Sequence, residues 1–428
     1  MRISTHRHPG LIVHSHRFQV PLNHSVPDGD KIAVFARELL PANKPDSTDP
    51  YIVYLQGGPG FACRPPISKA GWIKQALKRY RVLLLDQRGT GQSTPVCDRT
   101  LIHLPPQEQA SYLQFFRADS IVKDAEWIRR ILLGEKEKWT IIGQSFGGFC
   151  AVHYLSAAPE GLAAVMITGG LPPLQGHADL VYQATSRRVV KRNERFYRRY
   201  PEDKALVQRI VSYLDDNEVT LPGGTKLTPR VFQQLGMRFG MSSAFEDIHY
   251  LLQTAFLNGP SGPELSYRFL RGMQNRLPFE TNPIYAILHE AIYCQGEASK
   301  WSAHRVTNQL ADFQLHRQPL FFTGEMVYPW MFDDYVHLRP LAAAAHLIAQ
   351  KNDWPMLYDM DVLRTNEVPC AAVVYYDDMY VERGFSMETA DSIQNMRVWV
   401  TSEYDHNGLS VNGSGIFDHL SDLLSGER

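Results

Sequence analysis

The chain has 428 residues, of which 44% are hydrophobic and 21% charged, so it can bury a large core and is not a disordered protein. Its 44 Lys and Arg residues nearly cancel its 45 Asp and Glu residues, and the formal charge of -1 argues against a general role in binding nucleic acid. The five cysteines are scattered without a C-x-x-C pair, and neither an export signal nor an apolar run of about 18 residues is present. These features predict a cytoplasmic protein that does not insert into a membrane.

The segment from about residue 10 to residue 40 predicts antiparallel strands at the edge of a sheet. Short apolar runs in this segment are broken by Pro21, Pro27 and Gly29, as is typical of strands joined by turns. Four histidines cluster near the start of the chain, in this segment or just before it: His6, His8, His14 and His16. Because no cysteine or carboxylate accompanies these histidines at ligand spacing, we expect them on a strand surface and predict no metal site.

Apolar strands then alternate with helices through glycine-rich turns. The pattern predicts strands at residues 51–55, 81–85, 139–142 and 164–167, with helices at about residues 67–80, 120–133 and 146–158. After residue 170 the pattern is helical and shows no convincing buried strand. Alternation resumes with a helix at residues 338–350, strands at residues 368–375 and 396–401, and a closing helix at residues 416–424.

This order of elements predicts an α/β fold with a mostly parallel, doubly wound sheet. We expect residues 1–170 to form the first part of the core, residues 171–335 an inserted helical cap, and residues 336–428 the second part of the core. A basic run lies at mostly helical spacing inside the cap: Arg187, Arg188, Lys191, Arg192, Arg195, Arg198 and Arg199. Since only one short element carries this run, we interpret it as the solvated face of a helix.

A candidate nucleophile follows the strand predicted at residues 139–142. Residues 143–147 read Gly-Gln-Ser-Phe-Gly, which matches G-x-S-x-G between a buried strand and a helix. This context predicts an α/β-hydrolase fold with Ser145 as the nucleophile on a strained turn. The amide of Phe146 is one expected oxyanion donor, and the glycine-rich loop after the strand at residues 51–55 supplies the other, from Gly58 or else Gly57.

The general base and its acid are expected after late strands, in that fold's chain order of serine, acid and histidine. Asp377 and Asp378 follow the strand at residues 368–375, and His406 follows the next strand. His406 would take the proton of the serine, and one aspartate would orient the imidazole. Successive residues leaving a strand point in opposite directions, so this pattern alone leaves both aspartates as candidates.

With these residues placed, the chain resembles the prolyl aminopeptidases, also called proline iminopeptidases, and in particular their longer bacterial form. The matching segments are Gly-Gly-Pro-Gly at 57–60, Asp-Gln-Arg-Gly-Thr-Gly-Gln-Ser at 86–93, Gly-Gln-Ser-Phe-Gly-Gly at 143–148, Asp-Met-Tyr-Val at 378–381 and Asp-His-Asn-Gly at 405–408. The resemblance implies that Asp378, which precedes Met379, is the acid. Gln56 departs from the family, which usually has histidine there, so the side-chain hydrogen bonding of this loop is expected to differ.

The resemblance also implies that cap glutamates recognise the cationic imino group of a substrate. Glu246 follows an aromatic residue on a predicted cap helix, Glu290 lies in a Glu-x-x-Tyr context, and Glu325 is a third candidate. Aromatic residues of the cap are candidates for an apolar wall around a pyrrolidine ring: Phe239, Tyr250, Tyr285, Tyr293, Tyr328 and Trp330.

The activity implied is release of N-terminal proline from short peptides through an acyl-enzyme, without a metal or an organic cofactor. Two alternatives stay open at this stage. One is an esterase or amidase of the same fold that needs no free N-terminus, and the other is a catalytically silent binding protein. The sequence does not indicate an oligomeric state.

Overall fold

A nine-stranded sheet forms the centre of the computed structural model, which describes residues 1–260 and 262–427. Two further strands, β8 and β9, form a separate hairpin. The strands in chain order are β1 (Arg2–His8), β2 (Leu11–Pro21), β3 (Lys31–Pro41), β4 (Tyr51–Leu55), β5 (Arg81–Asp86), β6 (Trp139–Gln144), β7 (Leu162–Thr168), β8 (Phe256–Gly259), β9 (Gly262–Leu265), β10 (Cys370–Tyr375) and β11 (Met396–Thr401).

The order of the strands in the large sheet is β1-β2-β3-β5-β4-β6-β7-β10-β11. The pairs β1–β2, β2–β3 and β3–β5 are antiparallel, and the pairs from β5 to β11 are parallel. This sheet confirms the predicted fold class. Because β4, β6, β10 and β11 run in the same direction, the loops that follow them emerge at one edge of the sheet.

Helices cover both faces of the sheet. Alternate residues of β4 belong to different groups of buried side chains. Val53 packs with helices α3 (Ala118–Leu133) and α4 (Phe146–Ala157), whereas Ile52 packs with helix α17 (Gly413–Ser425). Those helices belong to the core set α1 (Gly71–Ala76), α2 (Pro106–Leu113), α3 (Ala118–Leu133), α4 (Phe146–Ala157), α13 (Ala342–Gln350), α14 (Met360–Arg364), α15 (Arg383–Asp391), α16 (Gly408–Val411) and α17 (Gly413–Ser425).

The segment between β7 and α13 begins with helices and includes the β8–β9 hairpin. Its helices are α5 (Ala178–Arg199), α6 (Asp203–Asp216), α7 (Pro229–Gln233), α8 (Ala244–Leu252), α9 (Tyr267–Arg276), α10 (Pro283–Leu288), α11 (Ser302–Asn308) and α12 (Met331–Asp334). We call the segment from α5 to α12 the cap. The sequence did not predict this hairpin, whose residues are mostly exposed, although Leu265 packs into the core. The domain boundaries at residues 170 and 335 stay predictions.

Within residues 1–260 and 262–427, no helix is both long enough and apolar enough to cross a membrane.

Candidate active site

Ser145 lies on the sharp turn between β6 and α4. Its backbone angles are φ 53° and ψ -126°, and its amide donates to the carbonyl of Thr168 at 3.0 Å. A side chain at position 147 would place its Cβ atom 1.9 Å from the carbonyl oxygen of Leu55, so only glycine lets α4 start this close to β4. The turn is therefore strained and tightly fixed, as expected of a nucleophile held above the sheet.

The loop after β4 lies directly beside this serine. A Cβ atom added to Gly57 would lie 2.9 Å from the Cβ atom of Ser145. The side-chain amide of Gln87 donates to the carbonyl of Gln56 at 2.9 Å and thereby fixes the loop. In the part of the chain that the structure describes, the backbone amides at positions 57, 58 and 146 donate to no protein acceptor. They are thus available to an oxyanion.

Asp378 and His406 form a buried pair after β10 and β11. The Nδ1 atom of His406 lies 2.7 Å from Oδ2 of Asp378. The other carboxylate oxygen, Oδ1, accepts the amides of Tyr380 at 2.8 Å and Val381 at 3.1 Å. All three hydrogen bonds orient the carboxylate, and the amide of His406 donates to the carbonyl of Gly240 at 3.1 Å. The imidazole is therefore fixed from both its ring and its backbone.

Asp377 points away from this pair. Its side chain is 51% exposed and forms ion pairs with Arg188 at 3.5 Å and Arg195 at 3.3 Å. The two aspartates that the strand pattern left open are thus distinguished by tertiary structure, because only Asp378 contacts His406.

Ser145 and His406 both lie against the two consecutive glycines that follow β7. A Cβ atom added to Gly169 would lie 3.3 Å from Nδ1 of His406, and one added to Gly170 would lie 2.4 Å from the carbonyl oxygen of Ser145. The Ser145 hydroxyl has no hydrogen-bond partner among the described residues. In enzymes without bound substrate, the hydrogen bond between the nucleophile and its general base is often long, and it shortens in the substrate complex.

Three carboxylates act on the imidazole. Burial by itself lowers the pKa of His406, but the charge and hydrogen bond of Asp378, followed by the charges of Glu325 and Asp405, raise the pKa above its ordinary value. Glu325 belongs to the cap. The cap therefore acts electrostatically on the imidazole of His406.

The Asp-Gln-Arg-Gly segment at residues 86–89 stabilises the backbone near the site through hydrogen bonds. Asp86 accepts the amides of Cys63 and Gln92, each at 3.1 Å, and Arg88 pairs with Asp124 while donating to backbone carbonyls. Burial raises the pKa of Asp86. These contacts are structural.

Comparison with known proteins identifies the family. A family model described as the alpha/beta hydrolase fold matches residues 50–225. A proline iminopeptidase of Aeromonas sobria is 48% identical over 413 residues, covering 96% of each chain. The proline iminopeptidase aneH of Aspergillus aculeatus is 37% identical, covering 94% of this chain and 92% of its own. The chain belongs to the proline iminopeptidase family. The resemblance that the sequence motifs indicated is thereby confirmed.

Glu290, one of the three glutamates that the resemblance to proline iminopeptidases implies, caps a helix in this structure. It is 3% exposed, and its oxygens accept the amides of Ser302 at 3.0 Å and Ala303 at 2.8 Å. Burial raises its pKa. These amides begin α11, and they occupy both carboxylate oxygens of Glu290. Glu290 therefore has a structural role as a helix cap, which the sequence did not reveal.

Glu325 is the cap glutamate that the structure brings toward His406. Its Oε1 accepts the hydroxyl of Tyr285 at 2.5 Å, and its Oε2 lies 4.0 Å from Nε2 of His289. Its side chain retains 20% exposure. Glu246, by contrast, is half-exposed on α8 and pairs with Arg199. Among the three candidates, only Glu325 contributes to the electrostatics of the imidazole.

Two residues that contact the candidate site were not singled out from the sequence. The ring of Tyr380 packs edge-on against His406 with centroids 4.7 Å apart, although Tyr380 lies inside the motif that follows Asp378. Arg192 is buried and donates to Oδ1 of Asp405 at 2.5 Å and to the carbonyl of Asp377 at 3.0 Å. The expectation of a solvated helix face is therefore wrong for Arg192, because it bridges the loops that carry Asp378 and His406.

The described residues contain one group with metal-ligand chemistry, formed by Glu202, Asp203 and His249 in the cap. Both ring nitrogens of His249 already have partners, Asp203 at 3.0 Å and Gln253 at 3.0 Å. This group is a hydrogen-bonded network between α6 and α8, and the steps proposed below do not use it.

Proposed function

We propose that this protein is a serine aminopeptidase that releases N-terminal proline from short peptides through an acyl-enzyme on Ser145. The observation that carries the proposal is the buried 2.7 Å pair of Asp378 and His406, positioned across Gly169 and Gly170 from Ser145. Membership of the proline iminopeptidase family supports the substrate class.

In the first half-reaction the oxygen of Ser145 attacks the carbonyl carbon of the N-terminal residue. His406 takes the hydroxyl proton at Nε2, while Nδ1–H donates to Asp378, whose carboxylate stabilises the imidazolium. The amide of Phe146, with that of Gly58 or Gly57, donates to the oxyanion. When the C–N bond breaks, His406 gives its proton to the leaving amine, and the shortened peptide departs.

In the second half-reaction water hydrolyses the prolyl ester. His406 removes a proton from water, the hydroxide adds to the ester carbonyl, and the ester bond to Ser145 breaks. The serine oxygen recovers the proton from His406. The overall reaction consumes one water for each proline released, and the enzyme returns to its starting protonation state.

Recognition of the free imino group is assigned to Glu325. Glu325 is a partly exposed carboxylate that is held by Tyr285 and whose charge raises the pKa of His406. Such a carboxylate can pair with a substrate cation, and charge-assisted hydrogen bonds of this kind are strong when desolvated. Peptides with a longer N-terminal extension lack that cation at this position. We prefer Glu325 over Glu246, which already pairs with Arg199.

Neutral tyrosines surround this carboxylate. Burial, and then the charge of Glu325, raise the pKa of Tyr285, Tyr293 and Tyr380 far above their ordinary value. These phenols therefore stay uncharged over the whole working pH range. They provide aromatic faces for a pyrrolidine ring and do not compete with Glu325 for the substrate cation.

The experiment compares hydrolysis of a free proline arylamide with that of its N-acetylated form, in the wild type and in Ser145→Ala. We expect the wild type to cleave only the free form, and Ser145→Ala to be inactive with an unchanged fold by circular dichroism. Equal cleavage of the acetylated form would instead establish an amidase without need of a free N-terminus. Failure of a fluorophosphonate probe to label Ser145 would indicate a silent binding protein.

The proposal includes a cytoplasmic location, since all five cysteines are unpaired and four of them are buried. Nucleic acid and membranes are not among the proposed partners.

A further inference from the structure

A groove of about 460 Å³ lies beside the loop that carries His406. One wall is the C-terminal half of α5, which contributes four arginines, Arg192, Arg195, Arg198 and Arg199. We call this cavity the arginine groove. Two carboxylates, Glu246 and Asp405, also line it, so its lining side chains carry an excess of positive charge.

Three of the four guanidinium groups have acidic partners. Arg192 pairs with Asp405, Arg195 pairs with Asp377, and Arg199 pairs with Glu246. Arg198 forms no ion pair or hydrogen bond within residues 1–260 and 262–427 and is exposed. One guanidinium in the groove is therefore available to an anion from outside the chain. Guanidinium groups recognise carboxylates through paired N–H donors, which favours a carboxylate ligand.

Part of the lining of the groove is apolar. Phe239, Met241 and Phe245 contribute to it, but Phe239 is fully buried and Phe245 is 9% exposed, so the half-buried Met241 is the most accessible of the three. A site with a free guanidinium beside an apolar surface suits an anion that carries apolar groups. A peptide terminus provides both, since its carboxylate is flanked by its last side chain.

The groove is continuous with the backbone that holds the imidazole. Asp405 lines the groove and directly precedes His406. The amide of His406 donates to the carbonyl of Gly240, the residue between the two groove residues Phe239 and Met241. In the proposed mechanism His406 protonates the leaving amine, so the departing peptide passes on the side of this loop.

We propose that the arginine groove binds the C-terminal carboxylate of the departing peptide through Arg198. This inference rests on the proposed aminopeptidase function and narrows its substrates to short peptides with a free C-terminus. The apolar surface that includes Met241 then receives the side chain of the last residue. Each residue of an extended peptide adds about 3.3–3.6 Å, so one peptide length fits best.

The test measures kcat/KM for peptides of two to five residues that begin with proline and end with leucine, each as the free acid and as the C-terminal amide. Wild type, Arg198→Gln and the control Arg187→Gln are compared. Arg187 is also exposed on α5 but lies outside the groove, so both variants lose the same charge. Turnover of a proline arylamide, which has no carboxylate, is measured in parallel as a check on catalysis and folding.

For the best peptide length, we expect the wild type and Arg187→Gln to prefer the acid over the amide by about two- to fivefold, the range of an exposed ion pair. Arg198→Gln should lose this preference while cleaving the arylamide normally. The inference is overturned if the wild type shows no preference at any length, or if Arg198→Gln keeps it. It is also overturned if both variants lose it equally, since a general electrostatic field would then be responsible. A wild type inactive on the arylamide would instead refute the proposed function.

Discussion

The carboxylate of Asp378 is oriented before any substrate binds. One oxygen accepts two backbone amides, and the other faces His406. Asp378→Asn should keep the fold but favour the wrong imidazole tautomer, lowering kcat by about 10³–10⁴-fold on a proline arylamide. Asp377→Asn is the matched control and should lower kcat by less than about twofold, because exposed ion pairs contribute little. A larger loss in the control than in Asp378→Asn would contradict the assignment.

Glu325 is expected to act on the substrate and on the imidazole together. Glu325→Gln should lower kcat/KM for a proline arylamide by about 10- to 100-fold, since a charged hydrogen bond to the imino group is lost. Hydrolysis of a simple acyl ester should change little. Because the charge of Glu325 raises the pKa of His406, the acid limb of kcat/KM should also move to lower pH in the variant. Equal losses on both substrates would reject this role.

Glu290 should matter for stability more than for specificity. Glu290→Gln replaces one of the two oxygens that accept the amides of Ser302 and Ala303 with a donor. An unsatisfied buried amide costs about 1–3 kcal/mol, which should appear as a lower urea midpoint of unfolding. The ratio of arylamide to ester hydrolysis should not change. A selective loss of arylamide hydrolysis, with unchanged stability, would restore Glu290 as the substrate ligand.

At this scale the sequence could indicate residue types but not their partners. Ser145, Asp378 and His406 are locatable because each follows a recognisable strand. The different roles of Glu290 and Glu325 could not be predicted in this way. Their hydrogen-bond partners lie 12 and 40 residues away in the sequence, respectively. Asp377 and Asp378 differ only through tertiary contacts.

Among the elements, α5 connects the cap to the two loops that carry the acid and the base. Arg192 donates to Asp405 on one loop and to the Asp377 carbonyl on the other. Arg188 adds ion pairs to Asp377 and Glu382. The carboxylates that raise the pKa of His406 are Asp378, Glu325 and Asp405. The positive charge of Arg192 counteracts the negative charge of Asp405, its ion-pair partner.

Removal of Arg192 should therefore have a signature in the pH profile. With His406 as a general base, kcat/KM falls as the pH drops through its pKa, and the wild-type acid limb should lie above pH 6.5 because that pKa is raised from 6.5. In Arg192→Met, the unpaired Asp405 should raise the pKa further and move the limb to higher pH. Adding Asp405→Asn should move it back. An unchanged limb would show that Arg192 has a purely structural role.

The elements that the sequence predicts well are those with strong burial. β4, β5, β6 and β10 are continuous apolar runs, and the structure places them within a few residues of the predicted positions. β1 was not predicted, because its residues are polar and exposed along nearly the whole strand. The hairpin of β8 and β9 was missed for the same reason. The helix predicted at residues 67–80 is limited to Gly71–Ala76.

For the whole molecule, the parallel sheet explains why residues so distant in the sequence meet. β4, β6, β10 and β11 end at one edge, where they deliver the glycine loop, the serine, the acid and the histidine. The cap adds the carboxylate of Glu325 and the arginines of α5. The residues proposed for catalysis thus follow strands of the sheet, whereas recognition of both ends of a short peptide is assigned to the cap.

The most direct test of the central claim is to trap the acyl-enzyme. Wild-type protein is mixed with a proline nitrophenyl ester, quenched in acid within milliseconds, digested and analysed by mass spectrometry. We expect one prolyl group, attached to the peptide that contains Ser145, and none in Ser145→Ala. A prolyl group on another residue, or wild-type turnover by Ser145→Ala, would contradict the account.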